Sequence, residues 1–166
     1  MALADPTRPR TALKLQPGVS HRFRVRLRDA TGRTGPWYRG PQFDARLIQD
    51  GSDRMRWTDD WQRESRKTAA GNSVTFASQS DSQSALFFTS RAVAVISTMG
   101  PDRGRARIVI DGNLQGEVDL YSPTYRWQVL VFTREWAASK SRVIRVDVEA
   151  TADRPRVDRD GILLHR

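Results

Sequence analysis

The sequence predicts an all-β protein: a jelly-roll-like two-sheet sandwich over residues 50–166, preceded by further strands. Three observations predict it. Short runs of alternating apolar and polar residues recur about every ten residues, separated by Gly, Asp, Asn and Ser, which is the pattern of a sandwich or barrel. One such run ends in Asp111-Gly112-Asn113 and the next returns at once. Asp-Gly between two alternating runs marks a tight hairpin, because both turn residues adopt positive φ cheaply. Helical period is nearly absent; only Arg134–Lys140, around Trp136, reads as a turn or two of helix.

In chain order, residues 1–11 read as a disordered or linker segment. Pro17-Gly18 reads as a turn, and His21–Asp29 as a half-buried strand with Phe23, Val25 and Leu27 on one face. Arg22, Arg24, Arg26 and Arg28 occupy the other face, with no aromatic residue interleaved among them. Residues 29–36 are a turn cluster, Phe43–Ile48 is a strand, and Asp50-Gly51-Ser52-Asp53 is a linker. Strands follow at 54–58, 73–77, 84–89, 92–98, 105–111, 116–121, 126–132, 142–149 and 157–164. Trp127 is in phase with Val129 and Val131 and is expected in the core.

The chain has 166 residues, 38% hydrophobic, enough for one good core. It contains no cysteine, which excludes disulfides, thiolate metal sites and cysteine nucleophiles. No apolar run is long enough for a membrane-spanning helix, and the charged first fifteen residues do not read as a secretory signal. The net charge of +9 is concentrated at the start: residues 1–33 hold eight Arg and Lys against Asp5 and Asp29. The rest is nearly balanced, so nucleic acid is not the expected partner.

No nucleophile elbow, zinc-protease motif, Walker loop or dinucleotide fingerprint occurs, and His21 and His165 lie at opposite ends of the chain. The expectation is therefore no enzyme activity. Candidate ligand-binding residues are Tyr121 and Tyr125, flanking the Ser122-Pro123-Thr124 loop, and Trp57, near Trp61, Asp59 and Asp60. Flat rings beside polar groups suit sugar rings. Asp102 and Arg103 join the set because the Gly100–Gly104 turn could present backbone N–H groups to an anion. Asp158-Arg159-Asp160-Gly161 looks like half a calcium loop, and Asp50 and Asp53 form another oxygen-rich turn. The alternative for Asp158 and Asp160 is an exposed position flanking the last strand.

Two resemblances rest on these residues. GPDRGRA at 100–106, a strand, Asp111-Gly112 and VDLYS at 118–122 resemble the galactose-binding-like, carbohydrate-binding-module-like β-sandwiches of secreted bacterial proteins. The likeness spans about 50–166 and includes Trp61; Asp59, Ser90 and Lys140 stand where turn glycines are expected, and Arg142 where a histidine often is. Leu15, Pro17, Phe23, Val25, Asp29, Gly32 and Trp37 resemble the last third of a fibronectin type III domain, with residues 12–49 either part of such a domain or a completion of the sandwich. These resemblances imply a non-catalytic accessory module at the cell surface or outside the cell, binding a carbohydrate or cell-surface polymer or spacing other domains, with no cofactor beyond a possible structural calcium. The other reading is an assembly module docking to another chain through its arginine-faced strands.

Overall fold

The computed structural model describes residues 16–165, so the linker expected at 1–11 lies outside the described residues. Eleven strands form two antiparallel sheets: β1 Ser20–Val25, β2 Tyr38–Gln49, β3 Met55–Trp57, β4 Gln62–Ser65, β5 Ser73–Ala77, β6 Gln83–Met99, β7 Arg105–Ile110, β8 Asn113–Asp119, β9 Arg126–Glu149, β10 Val157–Arg159 and β11 Gly161–His165. The large sheet runs β1-β2-β11-β6-β9-β7-β8, with β3 also pairing β6; the small sheet runs β10-β5-β4. Between them lies a core that includes Ile48, Leu86, Phe88, Val93, Val95, Ile108, Ile144, Val146, Val157, Ile162 and Leu164. Among the described residues no helix is long and apolar enough to cross a membrane.

The Asp-Gly hairpin forms as expected. Asp111 (φ 51°) and Gly112 (φ 81°) take the left-handed region, and Ile110 pairs with Asn113. The runs 84–89 and 92–98 fuse into β6, and 126–132 and 142–149 fuse into β9, so Arg134–Lys140 is strand and not helix. Bulges allow this. The ladder shifts register between Ser90 and Ala92, which moves the inward phase from Leu86, Phe88 and Ser90 to Val93 and Val95. Further shifts fall between Val95 and Ile96 and between Ser97 and Met99, the latter opposite Gln128, whose φ is 52°. Trp127 keeps the half-buried phase of Val129 and Val131 but, unlike Val131, does not pack on the core, contrary to expectation.

The run 157–164 is divided. Val157–Arg159 pairs with β5 in the small sheet, Gly161–His165 pairs with β2 and β6 in the large one, and Asp160 is the crossover. β4 has no counterpart among the predicted runs.

Residues 16–49 form one hairpin. Its inner end belongs to the sandwich: Ala45–Gln49 pair with β11 and Ile48 enters the core. Its outer end, β1 with residues 38–44, has no second layer behind it among the described residues. Phe23, Val25 and Leu27 are therefore exposed, Leu27 at 76%, where burial was expected. The arginine face does carry an aromatic. Trp37 lies under Arg24 and Arg26, with guanidinium carbons 4.3 and 4.6 Å from its ring centroid.

Candidate functional site

The candidate residues sort into two places. The first is an open cleft of about 440 Å3 lined by Asp50, Gly51, Ser52, Asp53, Met55, Trp57, Trp61, Arg63 and Thr75. It joins Trp57 to the Asp50–Asp53 turn. The Trp57 and Trp61 rings meet at 4.9 Å with their planes tilted by 53°, and both pack their inner sides on the core. Buried Asp50 accepts hydrogen bonds from Arg63 Nε (3.2 Å), Ser73 Oγ (2.9 Å) and Thr75 Oγ1 (3.0 Å). Arg63 Nη2 also donates to Ser73 Oγ at 2.7 Å. The guanidinium lies so close over Gly51 that any Cβ there would collide with it. Asp53 is exposed, and its carboxylate has no ion-pair partner among the described residues. The cleft thus presents two indole walls, a free carboxylate, a half-exposed guanidinium and the Ser52 hydroxyl.

The second place holds Tyr121, Tyr125, Asp102 and Arg103. Tyr121 and Tyr125 are exposed at 49% and 46%. Tyr125 packs one face on Gly100, where a Cβ would come within 2.5 Å of the ring. The same ring stacks on Trp127, with centroids 5.2 Å apart and planes at 10°. Arg66 caps Trp127 at 5.1 Å, and Arg103 approaches Tyr125 at 5.4 Å. Gly100, Trp127 and Arg103 therefore all contact the Tyr125 ring, whereas Tyr121 has Arg154 at 4.8 Å.

Arg103 presents nothing to solvent. It is buried, donating from Nε to Asp158 Oδ2 at 2.9 Å, with Nη1 2.5 Å from Asp102 Oδ1. Asp158 also accepts from Arg156 Nε at 2.7 Å, and Arg156 Nη2 reaches Glu64 Oε1 at 2.6 Å. Glu64 in turn accepts from Arg66. Ion pairs and ring stacking thus close one circuit: Arg66, Glu64, Arg156, Asp158, Arg103, Tyr125, Trp127 and back to Arg66. Burial raises the Glu64 pKa, but the bonds from Arg156 and Arg66 outweigh it and hold it below the ordinary value. This circuit is not legible in the sequence, because Arg66, Arg103 and Arg156 stand far apart in the chain and meet only through folding.

Of the four aspartates proposed for calcium, Asp50, Asp158 and Asp160 are buried with protein partners, and Asp53 is exposed. Asp158 and Asp160 are fully buried, not exposed at a strand edge. Guanidinium groups sit on Asp158 and Asp50, and Asp160 Oδ1 accepts the Ala70 N–H at 2.8 Å. Calcium needs six to eight oxygens free of competing cations. Among the described residues no three His, Cys, Asp or Glu side chains converge on a metal-sized position.

No protein-family model matches the chain, and no curated protein matches its sequence. Solved structures do match its fold. The family 35 carbohydrate-binding module from Clostridium thermocellum matches with a TM-score of 0.51 and 11% identity, over 71% of this chain and 97% of the module. The corresponding module from Cellvibrio japonicus gives 0.54 and 9%, over 74% and 96%. A family two carbohydrate esterase from Cellvibrio japonicus gives 0.57 and 7%, over 74% of this chain and 34% of the esterase. The chain thus spans about a third of that enzyme's length and nearly the whole of the modules. What the chain shares with these structures is the fold, an antiparallel two-sheet β-sandwich.

Proposed function

We propose that this chain is a non-catalytic carbohydrate-binding module that takes a glycan into the Trp57–Trp61 cleft. The observation that carries the reading is the cleft itself: two tilted indole rings facing an unpaired carboxylate in a space of about 440 Å3. That volume lies in the range of small-molecule sites, ~300–1,000 Å3. Ring faces take up the apolar C–H side of a sugar, while Asp53, Ser52 and Arg63 meet its hydroxyls. The near-complete match to carbohydrate-binding modules supports the reading. An accessory role beside a carbohydrate-active enzyme, outside the cell, accords with the partial match to the esterase. An open cleft leaves much of a sugar in water, so dissociation constants on the order of micromolar to millimolar are expected.

A second reading places the sugar on Tyr121, whose exposure favours it. Glycan-array screening followed by calorimetry on Trp57→Ala and Tyr121→Ala separates the two. The cleft reading expects at least about tenfold weaker binding for Trp57→Ala, a loss of ~1.4 kcal/mol, and little change for Tyr121→Ala. The reverse pattern assigns the site to the tyrosine, and a folded wild type that binds no glycan removes both.

A further inference from the structure

We propose that the outer end of the β1–β2 hairpin docks on a membrane surface that carries anionic lipid headgroups. The hairpin has two unlike faces. On one, His21 and Phe23 lie against Phe43, with ring centroids 5.8 and 5.5 Å apart, and Val25 and Leu27 continue the row. On the other, Arg24 and Arg26 lie over the Trp37 ring, and Arg24 pairs across the hairpin with Arg39. Six of the eleven large hydrophobic side chains exposed among the described residues belong to this hairpin, Leu27 at 76% and Tyr38 at 62%. Residues 16–43 hold six arginines against one carboxylate, Asp29. That carboxylate is taken up by its own turn, accepting from the Thr31 and Arg33 backbone N–H groups at 2.9 Å each.

Single exposed apolar side chains need no explanation, but a cluster of them beside polar groups marks an interaction site. The charge selects its partner. An anionic polysaccharide would pair with the arginines and leave the apolar row in water. A second copy would cover the row and leave the arginines without a counter-charge. A bilayer with anionic headgroups meets both faces at once. The apolar row enters the boundary between headgroups and acyl chains while the arginines stay at phosphate level, as in an interfacial amphipathic segment. Trp37 and Tyr38 suit that boundary, since each ring has an apolar body and a polar tip. Among the described residues β1 is one edge of the large sheet, so its unpaired backbone groups keep the hairpin in the interface and out of the hydrocarbon. None of these side chains lines the Trp57–Trp61 cleft, so membrane and glycan binding are tested separately.

The test is co-sedimentation of the whole chain with vesicles of phosphatidylcholine alone and of phosphatidylcholine mixed with phosphatidylglycerol. Binding to the mixed vesicles is expected to exceed binding to the neutral ones and to fall as salt rises. Val25→Ser with Leu27→Ser, and separately Arg24→Gln with Arg26→Gln, should each weaken it at least about tenfold. All four residues are exposed, so the melting temperature should stay at the wild-type value. No binding to the mixed vesicles overturns the proposal, and so does a double serine variant that binds them like the wild type. A wild type that holds heparin but not vesicles assigns the arginines to a polysaccharide and overturns it. A dimer in sedimentation that the two serines dissociate assigns the apolar row to a second copy and overturns it. Should the double serine variant not fold, quenching of wild-type fluorescence by brominated lipid decides. Quenching that Trp37→Phe removes supports the proposal, and any other result overturns it.

Discussion

At the scale of single residues, the buried charges carry the most information. Asp158 is the hub of the ion-pair circuit, fully buried between Arg103 and Arg156. Asp158→Asn leaves two guanidinium groups short of their counter-charge. It is expected to cost about 3–5 kcal/mol, read from the denaturant midpoint. Asp160 behaves in the opposite sense. Burial, opposed by the Ala70 N–H and reinforced by Asp50 and Asp158, raises its pKa to about 6. A carboxyl whose folded pKa lies above its unfolded value stabilises the fold fully below the unfolded value, and that contribution is lost as pH rises through the folded one. Stability attributable to Asp160 therefore falls between about pH 4 and 6. Glu64 and Asp119, held below their ordinary values, act in a lower window, where stability is lost as pH falls. Asp160→Asn should flatten the pH 4–6 slope in a Tm-against-pH series and raise Tm at pH 7. An unaltered slope would place its origin in another group. None of this was legible in the sequence, where Asp158-Arg159-Asp160 reads as a solvated turn. Alternation predicts which side a residue faces only when the strand continues, and here the strand changes sheet at Asp160.

At the scale of elements, the sequence carried the strands and missed their joints. The Asp111-Gly112 turn and the Ser73–Ala77 strand were readable because local chemistry alone dictates them. Bulges were not, since Arg91 and Gln128 bear no mark of the register shifts beside them. The position of Trp127 can be measured. Trp127 stacks between Tyr125 and Arg66 outside the core, so Trp127→Ala forfeits a ring pair and a cation–π contact, about 1–2 kcal/mol. Leu86→Ala, in the core, should cost about 2–5 kcal/mol. Equal losses in urea unfolding would return Trp127 to the interior. The cleft was half legible: Trp57, Asp50 and Asp53 stood close in sequence, but Arg63 and Thr75 arrive from β4 and β5 only through folding.

At the scale of the whole molecule, the outer hairpin and the sandwich are separable in principle. Residues 16–46 carry seven arginines against Asp29 and Asp44, while Ile48 and the pairing of β2 with β11 belong to the core. Deleting residues 1–43 should leave the melting transition within a few degrees and weaken heparin retention; screened Coulomb attraction makes that retention salt-sensitive. Deleting residues 1–49 should abolish cooperative unfolding, because the edge of β11 is uncovered and Ile48 is gone. A 1–43 deletion that fails to fold would make the hairpin part of the cooperative unit. The same hairpin bears on how the molecule behaves in crowded solution. Among the described residues β1 is one edge of the large sheet, carrying exposed Phe23 and Val25 with Leu27 just beyond, a template on which a second copy could add a strand. Such growth would align one arginine-faced ribbon against another, and the like charges oppose it. The ribbon therefore acts as a guard against fibre-like self-association, one that salt or a polyanion would disarm.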